Sequence, residues 1–150
     1  LFPDAYALGL DIAEGVGVVP WSPLARGFLT GSRTRSEPRT TRRAQSDPFA
    51  DELYFTEDDF NVLDALLEVS RARGAAPAQV ALAWLLSVPG VVAPVVGSTK
   101  IEHIEDAVAA AGIVLHEEEI AKLEEPYRPH PVLGHKQPTP RRMGESGASF

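Results

Sequence analysis

Two short apolar runs, Val16-Gly17-Val18-Val19-Pro20-Trp21 and Val91-Val92-Ala93-Pro94-Val95-Val96, each lead straight into a loop of small, hydroxyl-bearing and cationic residues. Nearly all-apolar runs of this length suit parallel strands buried on both faces. Pro94 weighs against a central strand position, because it removes a ladder donor. The first run continues as Ser22-Pro23-Leu24-Ala25-Arg26-Gly27 and the second as Gly97-Ser98-Thr99-Lys100. With the helices read between and after them, the order is strand, loop, two helices, strand, loop, helix. That order implies parallel strands joined by right-handed crossovers, an α/β class. A closed eight-stranded barrel of this kind takes about 250 residues and often holds phosphate after its seventh and eighth strands. Two strands alone close nothing.

The helices carry explicit start and stop signals. Residues 5–14 have weak helical periodicity ending at Gly15, and residues 30–50 read as a long loop rich in Arg, Ser, Thr and Pro. Thr56 with Asp59 three residues on forms a capping pair for a helix whose stripe is Phe60, Leu63, Leu67 and Ser70, closed by Gly74. Pro77 suits the first turn of a second helix over 77–86, apolar nearly all round and stopped by Pro89-Gly90. Thr99 with Glu102 predicts a capping box for a helix over 101–111, ended by Gly112. A short acidic helix over 117–124 stops at Pro126. Residues 126–150 hold five of the thirteen prolines without periodicity and read as a tail.

Composition removes several function classes. The formal net charge of −7 opposes general nucleic-acid binding, which needs a basic face. No apolar run approaches the ~20 residues that span a bilayer. The chain starts Leu1-Phe2-Pro3-Asp4, with no signal-type segment, and reads as an entry point inside a longer protein. Without cysteine there is no disulfide framework and no thiolate chemistry, and a cytoplasmic setting is the default expectation. Charge is uneven, however: Arg33, Arg35, Arg39, Arg42 and Arg43 share a stretch with a single acid, Glu37. Such a stretch is either a solvated loop or a clamp for a polyanionic small molecule.

The chemistry concentrates at the two strand ends. Unpaired amides and the helix dipole favour an anion at a helix start. There Gly97 admits close backbone approach, Ser98 and Thr99 offer hydroxyls, and Lys100 adds a charge. The alternative is a capped helix with a solvated lysine. His103 lies one turn on from Thr99, and Asp106 stands three residues beyond it. Both are either solvated or directed at the same ligand, Asp106 as an acceptor for an exocyclic amine such as adenine's. In the first loop, Trp21 is either core or a stacking platform for a planar ring. Ser22 with Pro23 gives a turn that presents a hydroxyl and backbone N–H groups, and Gly27 and Gly31 leave room for a bulky ligand. No G-x-G-x-x-G, P-loop, G-x-S-x-G or H-E-x-x-H pattern occurs, and His130 and His135 lack the neighbours a metal site needs.

Residues 17–31, from Gly17-Val18-Val19-Pro20-Trp21-Ser22 to Phe28-Leu29-Thr30-Gly31, closely resemble the seventh strand and following loop of aldo-keto reductases. Gly97-Ser98-Thr99-Lys100-Ile101-Glu102-His103-Ile104-Glu105-Asp106 resembles their eighth strand end and helix. Residues 42–49 and 127–135 look like the bacterial branch, so the likeness runs over essentially residues 15–135. It implies a partial (β/α)8 TIM barrel over residues 1–125, carrying the last two or so βα units, with a proline-rich tail over 126–150. It also implies NADPH, or NADP, as cofactor. Trp21 matches the aromatic residue stacked on nicotinamide; Ser22, Pro23, Leu24 and Gly27 match the loop over the pyrophosphate. Gly97 and Ser98 belong to the matching strand end. Thr99 and Lys100 match positions around the adenosine 2′-phosphate, His103 a polar residue facing it, and Asp106 a Glu near the adenine amine. Two positions depart from the pattern: Ala107 replaces a common Asn, and Ser32 stands where some relatives have Lys.

The family's catalytic Asp, Tyr, Lys and His tetrad belongs to its first strands and has no match here. The leading expectation is therefore the NADPH-binding C-terminal portion of an aldo-keto reductase that reduces small carbonyl compounds, aldehydes and ketones, to alcohols. The 150-residue chain alone would be inactive. The alternatives are a redox-sensing NADP(H)-binding module of the potassium-channel β-subunit type, and an inactive truncated fragment. The residues name no particular carbonyl compound and no oligomeric state.

Overall fold

The computed structural model describes residues 13–33, 35–36 and 54–129. Among these the order is a 3₁₀ turn (Ala25–Thr30), α1 (Glu57–Arg73), α2 (Pro77–Ser87), α3 (Ile101–Ala110) and α4 (Glu117–Glu124). The expected helix over 5–14, apart from its last two residues, lies outside the described residues. So do Arg39, Arg42, Arg43, His130 and His135. No helix among the described residues is long and apolar enough to cross a membrane.

α1 is set at both ends by its sequence. The Thr56 hydroxyl accepts the Asp59 amide, and the Asp59 carboxylate accepts the Thr56 amide at 2.9 Å. Glu57, Asp58 and Asp59 fill the first turn and Arg71 and Arg73 the last, matching the helix dipole. Gly74 stops the helix in the left-handed conformation, with φ at 67°. Its inner stripe buries Phe60, Leu63, Leu66, Val69 and Ser70, and the Ser70 hydroxyl is satisfied by the Leu66 carbonyl at 2.7 Å.

Pro77 opens α2, and the Gln79 side chain accepts the Ala76 amide just before it. Val80, Ala81, Leu82, Ala83 and Leu85 are buried, as a helix apolar nearly all round requires. α2 packs on α1 and α3, α1 on α4, and the 3₁₀ turn on both α1 and α2. Phe28 of that turn is 2 % exposed and meets Phe60 and Phe55 edge-on, at centroid distances of 5.2 and 5.5 Å. Burying a phenylalanine contributes about 1.5–3 kcal/mol, so this ring anchors the first loop to the helical layer.

α4 is held by charge as well as by packing. Arg73 pairs with Glu119 through both carboxylate oxygens, at 2.5 and 2.7 Å, and donates to the Val114 carbonyl. Lys122 pairs with Glu68, and the Trp84 indole donates to Glu124. The Glu119 carboxyl falls to about 2, chiefly through the Arg73 bond and next through the His116 amide.

The two apolar runs depart from expectation. They pair in parallel, but only as isolated bridges, Val18 with Val91 and Trp21 with Val95. They are not strands buried on both faces: Val16, Val19, Trp21, Val92 and Val95 are all more than half exposed. Two prolines explain the broken ladder. Val18 donates to the Gly90 carbonyl and accepts from Val92, as a regular parallel pair should. The next two bonds of that ladder would need donors at Pro20 and Pro94, which have none. Val95 therefore donates to the Pro20 carbonyl in place of residue 94. Between the bridges the first run advances three residues and the second four, a one-residue slip.

Candidate functional site

Parallel pairing decides where the loops go. Because Trp21 lies beside Val95, both runs end on the same side, and Ser22–Gly27 and Gly97–Lys100 emerge as neighbours, on paths about 4.8 Å apart at the bridge. The two strand ends picked out by sequence are thus brought together.

The first loop curls through left-handed backbone. Ser22 has φ at 50°, and Ala25, Arg26 and Gly27 follow at 48°, 56° and 88°. Each non-glycine residue there costs roughly 1–2 kcal/mol. Burial of Ala25 and Phe28 offsets part of that cost. A side chain at Gly27 would meet nothing within 4 Å, so it is the dihedral angle that asks for glycine. At Gly31 a Cβ would come within 2.8 Å of the Leu67 side chain.

The curl also redirects the loop's donors. Ala25 donates to the Ser22 carbonyl, Arg26 to the Ser22 hydroxyl at 3.2 Å, and Gly27 and Leu29 to the Leu24 carbonyl. The expectation that Ser22 presents a hydroxyl and free amides outward is corrected to this extent: its oxygen closes the turn. Trp21 is 65 % exposed and lies outside the core formed by the described residues. Pro23 and Leu24 are half-buried beside it.

Of the arginine-rich stretch, the two described members face the protein itself. Arg33 is buried, donates from Nη2 to the Arg26 carbonyl at 3.2 Å, and lies 5.1 Å from the Phe55 ring centroid. Arg35 donates to Glu57, Asn61 and Asp64 at 2.7–3.0 Å over the Phe60 ring, bonds that raise its guanidinium pKa. Neither the solvated loop nor the anion clamp anticipated these partners. The rings that receive the arginines lie some twenty residues away in sequence.

In the second loop Gly97, Ser98, Thr99 and Lys100 are all exposed. The predicted Thr99–Glu102 capping box does not form. α3 begins one residue later than a Thr99 cap requires, with Lys100 at the cap position and no side chain bonded there. The Ser98 hydroxyl instead accepts the Lys100 amide at 3.1 Å and pairs with His103 Nδ1 at 3.0 Å. Ser98, Lys100 and His103 therefore form one polar group, while the first amides of α3 keep no side-chain cap. Asp106 is turned toward α2, where it accepts from Gln79 Nε2 at 2.8 Å. Sequence reading missed Gln79, which stands in the first turn of α2 and reaches Asp106 only because α2 packs against α3.

Two hollows lie elsewhere. One of about 420 Å³ is lined by α1 and by α4 with the residues after it, including Asp58, Glu68, Lys122 and Arg128. The other, about 340 Å³, runs beneath Arg33 and Arg35. Neither is lined by the strand-end residues.

Comparison with known proteins gives a concordant result. The model of the Aldo/keto reductase family matches residues 8–128. Versiconal hemiacetal acetate reductase of Aspergillus parasiticus is 38% identical over 122 residues, 79% of this chain and 34% of its own length. An aldo-keto reductase of Fusarium vanettenii is 37% identical over 124 residues, 81% of this chain and 32% of its own. The crystal structure of a thermostable aldo-keto reductase in complex with the inhibitor epalrestat superposes with a TM-score of 0.54 at 27% identity, covering 80% of this chain and 33% of that one. The chain spans about a third of the length of the relatives it matches.

Proposed function

The chain belongs to the aldo/keto reductase family, and from that premise we propose that it is an NADP(H)-holding portion of an oxidoreductase that reduces aldehydes and ketones. Residues 1–125 supply the last two or so βα units of a (β/α)8 barrel, and residues 126–150 a proline-rich tail. The observation that carries the reading is the parallel bridge between Trp21 and Val95, which sets both polar loops at one end.

The donor set at the second loop fits a ribose phosphate. Lys100 brings a full charge, Ser98 and Thr99 bring hydroxyls, and α3 contributes amides without a side-chain cap. His103, already bonded to Ser98, adds a ring nitrogen to the same group. In the first loop Trp21 offers an open face to a planar ring, and Gly27 keeps the turn bare of side chain. The turn's amides are bonded internally, so this loop supports the pyrophosphate by shape more than by its own donors. Asp106 accepts from Gln79, and a carboxylate held there would still have a lone pair to offer an exocyclic amine such as adenine's.

Bound NADPH supplies a hydride from its nicotinamide. The chain's share is orientation: holding a hydride donor at a barrel mouth lowers the entropic part of the barrier. The sequence has no match for the family's Asp, Tyr, Lys and His tetrad, so the 150-residue chain alone should not reduce an aldehyde. Lys100→Ala should weaken NADPH about tenfold or more, the scale of one hydrogen bond to a charged group, and leave NADH nearly unchanged. Fluorescence titration with each dinucleotide measures this, and equal losses for the two would sink the 2′-phosphate role.

A further inference from the structure

We infer that Arg33 is a positioning residue for the left-handed turn of the first loop, acting through the Arg26 carbonyl and not by touching a ligand. The assignment of that turn to a pyrophosphate rests on the dinucleotide reading above; the latch itself does not.

Arg33 is 3 % exposed, an unusual place for a guanidinium, since burying a cation is costly unless it is bonded. Its Nη2 donates to the Arg26 carbonyl and its plane lies against Phe55. Both anchors are strained. Arg26 has φ at 56° in the middle of three left-handed residues, and Phe55 has φ at 85°, rare for a bulky side chain. Such conformations persist where the surroundings over-determine them. Arg33 joins the two, tying the turn to the point where the chain enters α1. Phe28, stacked on Tyr54 and edge-on to Phe55 and Phe60, gives the same turn an apolar foot on that point. A flat, delocalised cation with several donors suits a ring and a carbonyl together, which lysine's ammonium does not.

The test uses Arg33→Met and Phe55→Leu, the second in case the first fails to fold. Amide exchange reads the latch directly. In each variant the amides of Ala25, Arg26, Gly27 and Leu29 should exchange faster, about tenfold for Arg33→Met and less for Phe55→Leu, while those of α1 and α2 keep their rates. Unchanged turn amides overturn the proposal, as does an acceleration spread equally over α1 and α2. Ligand titration then separates the ends of the site. NADPH should weaken about tenfold in Arg33→Met, and adenosine 2′,5′-bisphosphate, which lacks the nicotinamide half, should bind as before. Equal weakening of both overturns a role confined to the first loop. If the unmutated protein binds neither, the cofactor reading fails and the exchange pattern alone decides the latch.

Discussion

Thr56 and Thr99 each stand three residues before an acid, yet only one of them caps a helix. At Thr56 the exchange with Asp59 is reciprocal, engaging the Thr56 hydroxyl and amide and the Asp59 amide. At Thr99 the helix begins too late, and Ser98 holds the Lys100 amide instead. Thr56→Ala should therefore cost about 1 kcal/mol, and Thr99→Ala no more than a few tenths. Urea unfolding of the two variants side by side measures the difference; similar losses would show that Thr99 caps after all. Local spacing made the Thr56 cap, the Gly74 stop and the start of α2 at Pro77 legible, because each is settled within a few residues. The partners of Arg33, Arg35 and Asp106 were not legible. Each is met across a fold contact, on Phe55, on α1 and on Gln79, and no spacing along the chain encodes it.

At the scale of elements, α4 owes its place to ion pairs that titrate. The Arg73–Glu119 pair is only about a fifth exposed at each side chain, and both carboxylate oxygens are engaged. Glu119 stands at about 2 against an ordinary 4.5. A depressed carboxyl contributes stability that is complete above the unfolded value and is lost as pH falls through the folded one. The pair's share, on the order of 1 kcal/mol, should thus fade between about pH 4.5 and 2. In Glu119→Gln that segment of the stability–pH curve should flatten, and a slope equal to the parent's would refute the assignment. The four described α-helices were readable to within a residue, from their apolar patterns and breakers, although the Thr99 cap expected for α3 does not form. The strands were readable only as runs that lie side by side in parallel. Pro94 was visible as an obstacle, but its pairing with Pro20 across the ladder depends on register, which a single run does not carry.

At the scale of the whole molecule, the core formed by the described residues lies in the helical layer, and the paired runs are exposed. Val16, Val19, Trp21, Val92 and Val95 are exposed on the paired runs, and Ile101, Val108 and Val114 are exposed as well. The 150-residue chain should accordingly bind the dye ANS, with fluorescence well above that of the unfolded chain in urea. Val19→Lys with Val92→Lys should cut that signal by about half or more; an unchanged signal would place the dye elsewhere. The fold class was legible at this scale only through the order of elements and the two loop motifs.

One consequence belongs to the slip between the bridges. Side chains along an extended run alternate, so omitting or adding one residue exchanges the faces of everything downstream. Pro94, by declining its bond, moves the pairing on to Val95 and thereby sets the phase in which Gly97, Ser98, Thr99 and Lys100 leave the pair. The proline works as a counter: which way the second loop's hydroxyls and charge are turned is reckoned from a missing hydrogen.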